Sequence, residues 1–137
     1  MNYQDQVVVL TGASGGIGSA MAKKFTDLGA KVALLDITVD RVQALADKLG
    51  LGSDRAFCAA VDVSNEESVK ATVDAIVKHF GRIDVLVNAA GIPGPSARVE
   101  DYSFSDAKKV LSVNLFGTFL MMHTVLPSCR RRSTARS

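Results

Sequence analysis

The stretch QVVVLTGASGGIG, residues 6–18, limits the fold more than any other feature of this chain. A short β-branched run, Gln6 to Leu10, ends at Thr11-Gly12 and reads as a strand buried on both faces. Four glycines follow within the seven residues 12–18. From there GIGSAMAKKFTDLG, residues 16–29, places Ile17, Met21, Phe25 and Leu28 on one helical face, and Gly29 suits the C-terminal stop. A strand that turns through glycines into a helix opens a βαβ unit, which requires a second, parallel strand beyond the helix.

The rest of the chain repeats that alternation. KVALLDI (31–37) is the second strand, and TVDRVQALADKLG (38–50) is a helix with Val42, Leu45, Ala46 and Leu49 inward. RAFCAAVDV (55–63) gives a third strand. SNEESVKATVDAIVKHFG (64–81) begins with Ser64 and has Glu67 three residues on, the spacing of a capping box. IDVLVNAAG (83–91) is the fourth strand, followed by a loop punctuated by proline and glycine. A last helix runs from about Ser105 to a stop at Pro127, and its second half is apolar nearly all round. Strands separated by such helices form a parallel sheet, the first half of a doubly wound α/β fold with strand order 3-2-1-4.

Composition narrows the function classes. With 47% hydrophobic and 22% charged residues the chain is globular. No run of 18 or more apolar residues appears, so no bilayer span is expected. The N-terminus lacks a basic region ahead of its apolar run and reads as a strand, not a signal peptide, which makes the cytoplasm the expected location. Residues 1–127 carry 12 basic and 14 acidic side chains, and the last ten residues add four arginines. That basic tail, 128–137, reads as a disordered end. It has no interleaved aromatics and no periodic basic face, so no nucleic-acid partner is expected. Cys58 and Cys129 are too few for a disulfide framework or a zinc site, no metal is expected, and Cys58 reads as a small hydrophobe. His79 reads as a helix-end residue and His123 as one side of an apolar helix.

The glycine stretch carries chemistry as well as shape. Gly12 lets the chain leave the strand sharply, Gly16 lets backbone approach a pyrophosphate, and Gly18 lets the helix pack closely. The N–H groups at the helix start then face an anion. Asp36 ends the second strand 18 residues after Gly18, near the ~20-residue offset at which an acid accepts from a ribose hydroxyl. Ser14, Gly15 and Ile37 are uncharged, so a 2′-phosphate would meet Asp36 with no arginine nearby. This favours NAD over NADP. Alternatively, Asp36 caps the helix that starts near Val39.

TGASGGIG, Asp36, the DV pair at 62–63, NAAG at 88–91 and VNLFG at 113–117 together resemble the classical short-chain dehydrogenases/reductases. The resemblance covers about residues 5–127, and from Ser128 the pattern is lost. It implies a Rossmann-type domain and an NAD(P)-dependent oxidoreductase acting on a small alcohol or ketone. It also implies roles: Ser14 and Ile17 belong to the cofactor loop, Asp62 and Val63 contact the adenine, and Asn88 stabilises the end of strand four beside the cofactor. Asn88 could equally be an amide that ties loop backbone together. Asn114 resembles the family's catalytic asparagine, which holds a water in a proton relay; read from the residues alone, it is a satisfied core amide. Family members assemble through the last helix and its successor, but here a sticky surface is expected in place of an oligomer.

The same resemblance sets an expectation of inactivity. In the family a tyrosine serves as general acid or base, a lysine four residues later lowers its pKa and holds the ribose, and a serine orients the substrate. A free phenol, with a pKa of about 10, is a poor base at neutral pH. Four positions after Tyr3 stands Val7, and four after Tyr102 stands Asp106. The reading is therefore a fold truncated after the fourth strand and following helix, with the cofactor half present and the catalytic Ser, Tyr and Lys absent. The arginine-serine tail then fits a frameshift or truncated gene, against a deliberately short chain whose tail recruits a partner. The alternatives to an enzyme fragment are a catalytically dead nucleotide-binding or interaction module and a remnant that does not fold.

Overall fold

The computed structural model describes the backbone of residues 2–136 and the side chains of residues 2–129. Its elements run β1 (Val7–Thr11), α1 (Gly16–Asp27), β2 (Lys31–Asp36), α2 (Val39–Lys48), β3 (Ala56–Ala60), α3 (Glu66–Phe80), β4 (Val85–Asn88), α4 (Phe104–Leu111) and α5 (Gly117–Arg136). The four strands are parallel in the order β3-β2-β1-β4, as the alternation of strands and helices predicts.

The sheet separates two cores, and β1 supplies both. Val7 and Val9 point to one side, where α3 and α5 pack through Val69, Val73, Ile76, Met121 and Val125. Val8 and Leu10 point to the other, against Ala22 of α1 and Val42 and Ala46 of α2. All five β1 residues are buried, which is why its sequence reads as an unbroken apolar run. Val85–Asn88 forms an edge, paired to β1 alone, and its strand residues are half-buried or exposed.

Asp84 holds the start of that edge. Its carboxylate accepts from the Val7 N–H at 2.8 Å and takes a two-pronged contact from Arg82 at 2.8 and 3.0 Å. The Asp84 side chain is only 10% exposed, so its charge is stabilised by these donors and not by water.

Several expected details differ. Ile17 is 75% exposed, and the inner face of α1 is Gly18, Ala22 and Thr26, with Met21, Phe25 and Leu28 half-buried. The cap of α3 is Asn65, whose side chain accepts from the Ser68 N–H at 2.9 Å. Ser64 lies one residue before the cap, and its N–H and hydroxyl both donate to Asp62 at 3.0 and 2.6 Å.

The last helix also departs from expectation. A π-helical turn, Ser112–Phe116, joins α4 to α5, and the helix continues through Pro127 to Arg136. The expected helix stop at Pro127 is thus corrected; Ser137 lies outside the described residues. Proline forfeits one amide bond, but His123, whose carbonyl would have accepted it, is exposed, so water can take its place. By length and composition alone, Phe104–Cys129, with mean hydropathy 1.5, could cross a bilayer. Polar residues interrupt its apolar runs, so it holds no unbroken apolar run of bilayer length. Met121 and Val125 of this segment are buried in the sheet core, while Phe104, Leu115, Phe116 and Phe119 are more than half exposed.

Replacing Asp84 by alanine leaves the Val7 N–H and Arg82 without their acceptor. It should cost about 2–4 kcal/mol of stability, measured by urea unfolding followed by circular dichroism.

Candidate functional site

At the carboxyl ends of the strands lies a cleft of about 610 Å³. It opens where strand order reverses between β1 and β4, the position at which open α/β sheets take ligands. Its floor is built by contact between two loops. Gly12 has φ +63°, and a Cβ there would lie 2.6 Å from the Ala89 carbonyl oxygen and 2.8 Å from the Ala90 Cα. The buried Thr11 hydroxyl accepts from the Ala89 and Ala90 N–H groups, both at 3.2 Å. Thr11 and Gly12 thus clamp the end of β4 onto the end of β1.

Above that floor the start of α1 is open. Its N-cap, Gly15, offers no side-chain acceptor, and the first turn carries no acid. The first N–H groups of a helix have no partner within it and favour an anion. Gly18 is glycine for packing: a Cβ would overlap the Gly12 carbonyl and lie 2.9 Å from the Ala13 Cα. Gly16 is different. A Cβ there would meet nothing within 4 Å, so the protein itself does not require this glycine.

Asp36 stands on the rim. One carboxylate oxygen accepts from the Ser14 N–H at 3.1 Å and from the Ser14 hydroxyl, and the other accepts from the Ile37 N–H at 2.7 Å. Burial raises its pKa, but the bonds from Ser14 and Ile37 and the charge of Arg41 outweigh that and hold it below the ordinary 3.8. Asp36 is therefore ionised at neutral pH and fixes the glycine loop to the end of β2. The alternative reading, a cap on α2, is not what these bonds make of it, since Thr38 is the N-cap.

Of the residues singled out from sequence, Gly12, Ser14, Asp36, Asp62 and Val63 line the cleft. Asp62 turns back to Ser64, and the nearly buried Val63 packs where a Cβ on Gly117 would fall. Gly16, Ile17 and Gly18 lie at the start of α1 and Asn88 at the exposed end of β4, none of them in the lining. Asn114 sits in the π-helical turn, exposed, not in apolar surroundings as its neighbours in sequence suggest. Its amide accepts from the Ile92 N–H and donates to the Ile92 carbonyl, both at 2.8 Å. It thereby pins the loop that follows β4.

Sequence reasoning missed Arg41, Lys109 and Ser112, which also line the cleft. Arg41 corrects the statement that no arginine is near Asp36, and its position five residues on, in the first turn of α2, was a readable signal. Outside the cleft, burial raises the pKa of both cysteines, with Asp47 adding to the effect at Cys58, as suits packed thiols.

The family model for the short chain dehydrogenases matches residues 6–136. The chain is a short-chain dehydrogenase/reductase. The match runs through residues 128–136, which the sequence pattern sets outside the family, in step with the helix reaching Arg136. D-threitol dehydrogenase from Mycolicibacterium smegmatis is 43% identical over 122 residues, which are 88% of this chain and 46% of that protein. A 3-ketoacyl-(acyl-carrier-protein) reductase from Brucella melitensis, solved with NADH, superposes with a TM-score of 0.91 at 32% identity, covering 98% of this chain and 54% of its own. A family member from Burkholderia phymatum, solved with NAD, gives 0.86 at 30%, covering 93% and 45%. The chain spans about half the length of the relatives it matches.

The two glycines should separate by experiment. Gly12→Ala must push the loops apart and hold φ at a strained value, so it should cost at least about 3 kcal/mol or prevent folding. Gly16→Ala should leave the thermal melt unchanged or slightly raised, since alanine favours helix by up to ~1 kcal/mol.

Proposed function

We propose that this chain binds a nicotinamide dinucleotide, NAD in preference to NADP, as the cofactor half of an oxidoreductase acting on an alcohol or ketone, and that these 137 residues do not turn over substrate by themselves. The observation that carries the reading is Gly16. A glycine at an uncapped, acid-free helix start, with open space where its Cβ would be, suits a pyrophosphate that needs backbone approach. The cleft volume also lies within the range of cofactor sites.

In this reading Gly16, Ile17 and Gly18 present their N–H groups to the pyrophosphate. Asp36 accepts from a ribose hydroxyl, for which the Ser14 hydroxyl must yield its place on the carboxylate. Asp62 and Val63 border the adenine, and Val63 supplies an apolar wall. Asn88 and the loop 89–92, held by Thr11 and Asn114, border the nicotinamide end. The cofactor supplies hydride acceptance and donation. Asn114 positions the loop through its two bonds to Ile92, and the catalytic role expected of it, holding a water in a proton relay, belongs to this reading as well. The relatives named above, two of them solved with NADH or NAD, support the choice of cofactor. No tyrosine here has a lysine four residues on, which supports the expectation of no turnover.

Calorimetry with NADH should give saturable binding that Asp36→Ala weakens by on the order of tenfold, the scale of a lost charge-assisted hydrogen bond. Absorbance at the nicotinamide band should show no alcohol oxidation. Equal binding by both proteins contradicts the assigned site, and clear turnover contradicts the assigned inactivity.

A further inference from the structure

The segment formed by α4, the π-helical turn and α5 carries two apolar stripes, and the fold uses one of them. Gly117, Met121 and Val125 are buried, and Met121 and Val125 lie in the sheet core. A second stripe consists of Phe104, Leu111, Leu115, Phe119, Met122 and Leu126, which are 42–75% exposed. Their spacing of three, four or seven residues keeps them on one side of the segment. From Phe104 to Leu126 the stripe is about 33 Å long, at ~1.5 Å per residue. Single apolar side chains scattered over a surface are ordinary, but a continuous row of this length marks a contact face.

Charge is distributed to match. From Ala107 to Ser137 the sequence has six basic residues and no acid, whereas residues 1–106 have ten basic and fourteen acidic. Lys108 stands at the start of the stripe, with its Nζ 4.9 Å from the centre of the Phe104 ring. Arg130, Arg131, Arg132 and Arg136 follow in the last part of α5. Asp106, in the first turn of α4, is the last acid of the chain. An exposed apolar stripe with cations at both ends is the combination that holds an amphipathic helix in the plane of an anionic bilayer. The apolar side chains enter the boundary between headgroups and acyl chains, and the cations meet lipid phosphates and carboxylates. The segment does not leave the domain to span the bilayer, because Met121 and Val125 are packed in the core shared with β1 and α3. A second copy fits less well. A two-fold contact sets each patch against itself, and along this stripe that brings cation to cation.

We propose that α4 and α5 form a peripheral docking face for an anionic lipid bilayer, lying parallel to its surface with the outer stripe inserted at headgroup level. None of the stripe residues lines the cleft, so this proposal stands apart from the dinucleotide reading.

The test floats the full chain with vesicles of phosphatidylcholine, alone or mixed with phosphatidylserine, at low and high salt. A thermal melt of every variant and sedimentation velocity without lipid accompany it. Vesicles containing phosphatidylserine should capture at least on the order of tenfold more protein than phosphatidylcholine alone, and high salt should remove most of that difference. Leu115→Ser combined with Phe119→Ser, both at exposed positions, should lower the capture on the order of tenfold while the melt is held. Arg130→Gln, Arg131→Gln and Arg132→Gln together leave the apolar stripe intact and should weaken capture by the phosphatidylserine vesicles alone. Equal capture by both vesicles overturns the proposal, as does capture that survives the arginine changes or survives in a folded serine variant. A soluble, folded chain that no vesicle captures overturns it too, and a dimer that the serine variant dissociates then assigns the stripe to a second copy.

Discussion

The contact of Gly12 with Ala89 and Ala90 is the constraint on which the rest of the structure depends. Backbone approaches backbone there so closely that no side chain fits, and the buried Thr11 hydroxyl satisfies the two N–H groups that the approach would otherwise strand. That clamp aligns the ends of β1 and β4, and Asp84 aligns their beginnings. Between these two points the register of the edge strand is fixed. The cleft exists because the loops after β1 and β4, once clamped, must turn to opposite sides of the sheet.

Charge then organises what the clamp has shaped. Asp36 binds the glycine loop through Ser14, so the acid that faces the cleft also holds the loop that forms its floor. Arg41 and Lys109 bring positive charge to a lining that also contains Asp36 and Asp62. The cleft therefore has no large field of either sign. Local pairing of donors with acceptors, not long-range attraction, is what selects a ligand in such a site.

The strand order and the roles of Gly12 and Gly18 were legible in sequence, because hydrophobic period and glycine spacing express steric limits directly. What was not legible depended on three-dimensional choices among equivalent partners. Ser64 and Asn65 are both competent caps; in the fold Asn65 takes the Ser68 N–H while Ser64 turns to Asp62. Ile17 fits the apolar face of α1 by period, yet the helix start overhangs the sheet and leaves it exposed. The π-helical turn at Asn114 has no local signature; the pairing of its amide with Ile92, 22 residues away, is seen only in the fold. Arg41 follows Asp36 by five residues, which places it at the start of the next helix, whereas the residues immediately beside Asp36 are uncharged and carry no sign of it.

On the dinucleotide reading, the cleft between the ends of β1 and β4 receives the cofactor. Backbone amide resonances of the isotopically labelled chain, followed during an NADH titration, test it most directly. Saturable shifts are expected at residues 12–18, at Asp36 and Ile37, at 62–64 and at 89–92, with the opposite end of the sheet near Gly29 and Asp54 unchanged. Shifts spread evenly over the exposed apolar face of α4 and α5, or centred at that opposite end, would contradict it.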